Sequence, residues 1–247
     1  MKYVIPSYQR PKILTNKTLN YLKKHNIDSN DIYLVLRDDD KFKSDYEELS
    51  NDYNIIWTDV KGIGKTHNFI TDTFDEGEYI CEIDDDLTDC IDKDGNSIED
   101  FGQMIENHRV VMNDQNISYG GFYSTPNPYF MANIKKEHTT DLRYMLGLLR
   151  VRRICKDIKL ETNYSEDFEN CILHYIRDGA ILKNNYIAGK TTNYAKGGCN
   201  GDGRDFDTEK EDKEYLANNY PDFCKLFQRK NGRWDLRLKD NKKPKIK

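Results

Sequence analysis

Residues 79–87 read Tyr79-Ile80-Cys81-Glu82-Ile83-Asp84-Asp85-Asp86-Leu87. A short apolar run, rich in isoleucine and headed by a tyrosine, stops in three consecutive aspartates. That is the pattern of a buried strand running into a polar loop. Side chains alternate along an extended chain, so Asp84 and Asp86 point one way and Asp85 the other. Two carboxylates converging at a strand end repel each other unless a cation lies between them. Hard divalent ions such as Mg²⁺ or Mn²⁺ take carboxylate oxygens and keep positions open for phosphate. A lone Asp-x-Asp is more often a solvated turn, because a motif is only a hypothesis. The chain that precedes this one shifts the balance.

Working back from it, Asn54–Trp57 reads as a strand leading to Lys61-Gly62-Ile63-Gly64-Lys65-Thr66-His67-Asn68, after which Ile63, His67, Ile70 and Phe74 mark a helical face. Ile32–Leu36 is a strand ending at Arg37-Asp38-Asp39-Asp40, followed by Phe42, Tyr46, Leu49 and Tyr53 at helical spacing. Met1–Ile5 is a strand ending at Pro6-Ser7-Tyr8-Gln9-Arg10, followed by a helix over roughly 15–25 with Asn26 as a left-handed stop. The order β-α-β-α-β-α-β predicts an α/β fold with a mainly parallel sheet flanked by helices. In such a sheet the polar clusters at 6–10, 37–40, 61–68 and 84–86 share one edge, the edge where open α/β sheets bind ligands.

Working forward, the pattern is less regular. Ile98, Phe101, Ile105, His108 and Met112 line a helix, and Tyr119–Ser124 reads as a strand broken by Thr125-Pro126-Asn127-Pro128. Phe130–Ile134 and Leu142–Val151 read as extended. Ser165 caps a helix that runs through Arg177 to Gly179, and Ala180–Ala188 reads as a strand. A glycine-rich loop spans 196–204. Helices are expected at about 208–218 and 222–227, with a short strand at 234–238. No internal repeat or linker is visible, so one domain over 1–247 is the simpler account, divided into a nucleotide-sugar half (1–90) and an irregular acceptor half with a C-terminal extension (91–247).

The 247 residues are 37% hydrophobic and 33% charged, with a net charge of −5, so general attraction to nucleic acid is not expected. The charge is uneven: Arg150, Arg152, Arg153, Lys156 and Lys159 crowd one segment, and the stretch from Arg237 to Lys247 is basic. No stretch approaches a membrane span and no signal-peptide segment opens the chain. The six cysteines are scattered without a C-x-x-C pair, which points to a reduced cytoplasm and no structural zinc.

Gly62–Thr66 invites a phosphate-loop reading, but the position five before Gly64 is Asp59 and the motif fails. A calcium loop at Asp92-x-Asp94-Gly95 would need ligands at Cys90 and Phe101, and neither is one. Glu166 and Asp167 open a helix, where carboxylates favour the dipole and the free amides; either one is also a candidate general base across the cleft from a metal-bound leaving group. The Gly197, Gly198 and Arg204 loop is either a flexible turn or a diphosphate clamp made of backbone amides and a guanidinium.

The whole pattern resembles the GT-A nucleotide-sugar glycosyltransferases, especially the inverting enzymes, over residues 3–190 and most strongly over 3–90. The residues that carry the likeness are Ile5-Pro6-Ser7-Tyr8, Asp38/Asp39, Gly62-Ile63-Gly64-Lys65-Thr66-His67-Asn68, the Asp84–Asp86 triplet as a DXD motif, and Glu166-Asp167. The resemblance implies a nucleotide-sugar site from Pro6, Ser7, Tyr8, Arg10 and Asp38 or Asp39, with Gly64, Lys65, His67 and Asn68 near the nucleotide. His67 stands where the family usually has Arg. It further implies Asp84 near the ribose beside Asp85, Asp86 on a Mn²⁺ or Mg²⁺ ion, and Asp167, or failing it Glu166, as base. The small size and the Gly-Gly loop before a Trp-containing segment are similar to phage glycosyltransferases that act on hydroxymethylated pyrimidines in DNA, the TET-associated and arabinosyl-hydroxycytosine types. That likeness implies work in the host cytoplasm on DNA, held by Arg150, Arg152 and Arg153. Two other readings compete: the same chemistry on a surface or lipid-linked glycan, and a non-catalytic nucleotide-binding module, which would need no base.

Overall fold

The computed structural model describes residues 1–191, Gly198 and 205–239. Its centre is an eight-stranded sheet. Strands β1 (Lys2–Ser7), β2 (Ile32–Arg37), β3 (Asn54–Thr58) and β4 (Tyr79–Ile83) are mutually parallel in the order β3-β2-β1-β4. Beyond β4 come β8 (Leu149–Arg153), β6 (Tyr119–Phe122), β9 (Leu182–Asn184) and β7 (His138–Thr139). β8 is antiparallel to both β4 and β6. The result is a mixed sheet that is parallel across the half formed by β1 to β4, with helices on its faces. No helix among the described residues is long and apolar enough to cross a membrane.

The connections follow from local chemistry. The first crossover is Pro11–Leu14 (α1), a π-helical turn at Thr15–Leu19, and Asn20–Lys24 (α2), and it ends at Asn26 with φ 57°. After the short α3 (Lys43–Glu47) comes α4 (Ile63–Thr73), which buries His67 and Ile70 as the periodicity predicts. α5 (Phe101–Asp114) starts where the Asp100 carboxylate accepts from the Gln103 amide. The main core lies between α1–α2, α5 and one face of the sheet, with Ile5, Leu22, Leu34, Leu36, Ile83 and Phe101 nearly inaccessible.

Several expected elements came out differently. Phe130–Ile134 is not extended: Pro128 opens a helical turn, α6 (Pro128–Met131), and the Asn127 side chain caps it. The extended reading of Leu142–Val151 holds only in β8; before it Arg143, Tyr144, Leu146 and Gly147 line the cleft while Leu142, Met145 and Leu148 pack into the core. Ala180–Ala188 divides into β9 and β10 (Ile187–Thr191). β10 pairs with β5 (Leu87–Asp92), a strand the sequence pattern did not reveal. The helix expected at 222–227 is instead β11 (Cys224–Gln228), paired antiparallel with β12 (Trp234–Leu238). Ser165 sits at the start of α7 (Glu166–Asp178), but its hydroxyl makes no cap bond.

One buried group bears on stability. His108, 2% exposed, has no partner for either ring nitrogen among the described residues. Burial, then the nearby His138, pushes its pKa down to about 3. An unfolded chain takes up a proton there near the ordinary pKa of about 6.5 and the folded one does not, so stability falls as pH drops below that value. His108→Met is expected to stabilise the fold by about 1 kcal/mol, since it removes an unsatisfied buried polar group. The gain in thermal midpoint should be larger near about pH 5 than near about pH 7. An equal or opposite change at the two pH values would contradict this account.

Candidate active site

Parallel strands bring the loops after β1, β2, β3 and β4 to one edge of the sheet. A cleft of about 960 Å³ opens there. Its near wall includes Pro6, Ser7, Tyr8, Arg10, Arg37, Asp84 and Asp85. Its far wall includes Tyr144, Gly147, Arg150, Glu166 and Asp167, together with residues of the C-terminal hairpin β11–β12.

The aspartate triplet is built by its neighbours. Asp85 is bound into the first loop: Ser7 Oγ donates to its Oδ2 at 2.6 Å and Arg10 Nη1 to its Oδ1 at 3.1 Å. Ser7 Oγ also lies 2.8 Å from the Tyr46 hydroxyl. Thr18, fully buried in the π-helical turn, donates from Oγ1 to the Asp84 carbonyl at 2.7 Å and accepts from the Leu87 amide at 3.0 Å. Its hydroxyl stands where a tight turn would make its own carbonyl-to-amide bond, and so fixes the spread of residues 84–87. Asp84 has no side-chain hydrogen bond among the described residues. Burial, then the carboxylates of Asp86 and Asp167, push its pKa up to about 7. Asp86 Oδ2 lies 3.8 Å from Arg10 Nη1.

This donor set suits a divalent cation. Two carboxylates raise each other's cost of ionisation, and Mg²⁺-type sites take one or two carboxylates plus substrate phosphates. The alternation expected of an extended chain does not hold across the triplet: Asp84 and Asp85 line the cleft, while Asp86 is buried off its wall and shares Arg10 with Asp85, so Asp84 is the carboxylate that would meet an ion in the cleft and Asp86 would reach it only from behind. Among the described residues the ligand-type atoms of Glu76, Cys155 and Asp157 lie within 4.8 Å of one another. There Arg177 already contacts both the Cys155 sulfur and the Asp157 carboxylate, so a cation is in place.

Behind the triplet lies a buried charge network. Glu82, on β4 two residues before Asp84, accepts from Arg150 Nε at 2.7 Å and Arg152 Nε at 2.6 Å, both on β8. Burial opposes its charge, but Arg152, Arg150 and His67 hold its pKa well below the ordinary carboxylate range. Burial, then Arg150, pushes the His67 pKa down to about 4. The ring is therefore neutral near pH 7, with Nδ1 3.3 Å from Glu82 and Nε2 2.6 Å from Arg150 Nη2. Arg150 Nη1 reaches Asp167 Oδ1 at 3.4 Å, and the Tyr144 hydroxyl donates to Asp167 Oδ2 at 3.2 Å. A Cβ on Gly147 would lie 2.4 Å from Asp167 Oδ1, so only glycine lets the carboxylate sit there. Glu82–Arg150–Asp167 thus links β4, the strand that runs into the aspartate triplet, to the carboxylate on the opposite wall.

The other sequence candidates fall into three groups. Pro6, Ser7, Tyr8, Arg10, His67, Glu166, Asp167 and Gly198 line the cleft with Asp84 and Asp85; the Gly198 amide donates to the Tyr8 carbonyl at 2.9 Å. Gly197 and Arg204 lie outside the described residues. The rest do not line the cleft. Lys65 is exposed, Asn68 exchanges two 2.8 Å hydrogen bonds with the Leu160 backbone, and Gly64 packs against the Thr162 carbonyl. Asp38 and Asp39 are exposed; Lys43 pairs with the first, Arg37 and Lys61 with the second.

Arg150 and Arg152 correct the sequence reading. At 2% and 4% exposure they are core partners of Glu82, not an exposed grip for DNA, and Arg153 contacts the side chain of Asn116. The alternation Leu149-Arg150-Val151-Arg152 on a strand facing Glu82 was the signal for this. Arg37 was missed. Its guanidinium lies 4.0 Å from the centre of the Tyr8 ring and lines the cleft with it.

No protein-family model and no curated protein matches the sequence. Solved structures do match in shape. Staphylococcus aureus TarS 1-349 in complex with UDP aligns with TM-score 0.53 and 19% identity over 76% of this chain and 60% of that one. Glucosyl-3-phosphoglycerate synthase from Mycobacterium tuberculosis, in complex with Mn²⁺, UDP and glucosyl-3-phosphoglycerate, aligns with TM-score 0.53 and 9% identity over 98% and 89%. The fold is GT-A. A mannosyltransferase from Pyrobaculum calidifontis, in complex with GDP-Man and Mn²⁺, aligns with TM-score 0.52 and 12% identity over 72% and 52%. This GT-A chain spans about three fifths of the length of the TarS 1-349 chain.

Proposed function

We propose that this protein is a metal-assisted glycosyltransferase that moves a sugar from a nucleoside diphosphate to an acceptor hydroxyl. The observation that carries the reading is the facing of Asp84 and the half-buried Asp167 across one cleft, the first fixed through its backbone carbonyl by Thr18 and the second through its carboxylate by Arg150 and Tyr144. A nucleotide-binding module needs no such second carboxylate. Neighbours of the same fold are solved with UDP or GDP-Man, two of them with Mn²⁺, which supports the donor class and the ion.

In this reading the nucleoside lies against Tyr8 and Arg37. Asp84, with Asp86 beside it, would hold the ion, which would supply Lewis-acid stabilisation of the departing diphosphate. Asp167 accepts the proton of the attacking hydroxyl. Arg150 and Tyr144 aim it, and a single displacement inverts the anomeric centre. The acceptor is a hydroxymethylated pyrimidine in DNA, and the enzyme works in a reducing cytoplasm; the buried, unpaired Cys81, Cys90, Cys155, Cys171 and Cys224 suit that compartment. The decisive experiment incubates DNA containing 5-hydroxymethylcytosine with enzyme, Mn²⁺ and a panel of nucleotide sugars, and weighs the nucleosides released. A mass gain of one sugar is expected. Transfer to oligosaccharide or lipid acceptors with none to DNA would replace the acceptor and keep the chemistry.

The nucleoside position is testable by calorimetry. Tyr8→Ala is expected to weaken nucleoside diphosphate binding about tenfold, the scale of one base stacked on an aromatic ring. Asp39→Ala, which removes a carboxylate outside the cleft wall, should have a smaller effect. The reverse ranking would move the base onto Asp39.

A further inference from the structure

The C-terminal extension ends in a two-faced hairpin. On β11 and β12 the residues Cys224, Leu226, Leu236 and Leu238 pack into the hydrophobic cluster formed with α7 and α8 (Phe206–Asn219). The alternate register positions are Lys225, Phe227, Arg229, Arg233, Asp235 and Arg237. Four of these six are cations, one is aromatic and one is acidic. Phe227, Arg229, Arg233, Asp235 and Arg237 line the cleft, as do Leu236 and Leu238 of the core side, and Arg233 also pairs with Glu209 on α8. The Arg237 guanidinium stands 5.1 Å from the centre of the Phe227 ring, and Arg229, its side chain 58% exposed, pairs with Asp235.

Two further observations give this face a direction and a charge. The Asp212 carboxylate on α8 accepts from the Asn163 and Tyr164 amides at 3.0 and 2.6 Å, which ties the helix and its hairpin to the segment just before Glu166 and Asp167. The hairpin is therefore fixed on the acceptor wall rather than over the nucleotide end. Nine residues lining the cleft are Arg or Lys and five are Asp or Glu, in a chain whose net charge is −5. Arg10 and Arg37 stand at the nucleotide end, and the hairpin contributes three of the other seven. Arginine forks match phosphate oxygens, and an aromatic ring among them offers a stacking face for a base.

We propose that the outer face of the β11–β12 hairpin is a phosphodiester-binding subsite that seats an unpaired nucleic-acid strand beside Asp167, Arg229 and Arg237 holding phosphates and Phe227 stacking on a base. This rests on the reading of the cleft as a sugar-transfer site. It relocates the grip from the buried Arg150 and Arg152 to the C-terminal extension.

The test uses fluorescence anisotropy with a labelled, unmodified oligothymidylate of about 12 nucleotides, within the length one such groove covers. Wild-type protein should bind it and weaken steeply with salt. The double variant Arg229→Gln/Arg237→Gln should bind roughly tenfold more weakly, with its salt slope shallower by about 0.7 for each phosphate it no longer neutralises. Phe227→Ala should weaken binding with the slope unchanged. Nucleoside diphosphate binding with Mn²⁺, measured on the same samples, should be untouched in both variants. No binding by wild type at low salt, or a double variant that keeps wild-type affinity and slope, would overturn the subsite. If that happens while the nucleoside diphosphate still binds, the sugar-transfer reading stands with another acceptor. If the oligonucleotide binds but no nucleoside diphosphate does, the hairpin keeps its role and the transfer reading falls.

Discussion

Asp167→Asn is expected to lower turnover roughly a hundredfold to ten-thousandfold, the usual worth of a positioned general base, with little change in nucleoside diphosphate binding. The amide keeps the shape and still accepts from Tyr144, so the wall should stay where it is. What it loses is the proton acceptor and the ion pair with Arg150. The lesion should therefore appear in the transfer step and spare the donor affinity. The helix start that carries Asp167 also carries Glu166, which lines the same cleft. Asp167 is aimed into the cleft by what holds it: it receives Arg150 Nη1 and Tyr144 Oη, and Gly147 leaves room for it. An inactive Glu166→Gln beside an active Asp167→Asn would reassign the base. NMR of the product anomer tests the displacement itself, and retention of configuration would defeat it.

The four parallel strands were readable because each is a short apolar run ending in a polar loop, and period and punctuation agree there. Strand β5 was not, because Leu87-Thr88-Asp89-Cys90-Ile91-Asp92 begins inside the aspartate loop and takes its pairing from β10, about a hundred residues on. Strand β11 reads locally as a helix; pairing with β12 and an apolar face onto α7 and α8 override that preference. The cleft shows the same division. Loop position alone brought Ser7, Tyr8, Arg10 and Asp84 to one edge; Asp167, at the start of α7, came from the resemblance. The resemblance put Lys65 and Asn68 near the nucleotide, but the turn of α4 sends one to solvent and the other to the Leu160 backbone. Thr18, Tyr144 and Arg37 carry no motif. Their roles come from contacts with residues distant in sequence, such as the 66-residue separation between Thr18 and Asp84.

Asp86→Ala is expected to abolish transfer and at the same time to make the metal-free protein more stable above neutral pH. Asp84 is the reason. Its folded pKa of about 7 lies well above the ordinary aspartate value of about 3.9. A group raised in this way favours the fold at low pH and loses that contribution as pH climbs through the folded pKa. Without a cation, ionising Asp84 beside Asp86 and Asp167 is thus a cost that grows between about pH 4 and about pH 7. Removing the Asp86 carboxylate lessens that cost, so the thermal midpoint of the metal-free variant should exceed that of wild type near about pH 8 and match it near about pH 5. A bound divalent ion does the same for wild type, so Mn²⁺ should raise the wild-type midpoint more near about pH 8, where Asp84 has no proton to displace. In Asp86→Ala the Mn²⁺ effect should largely vanish with the ligand, and transfer with it. Two measurements decide this: thermal midpoints with and without Mn²⁺ at both pH values, and turnover in excess chelator with metal removal verified. Full turnover without metal, or a variant less stable than wild type near about pH 8, would mean that the triplet closes a strand and holds no ion.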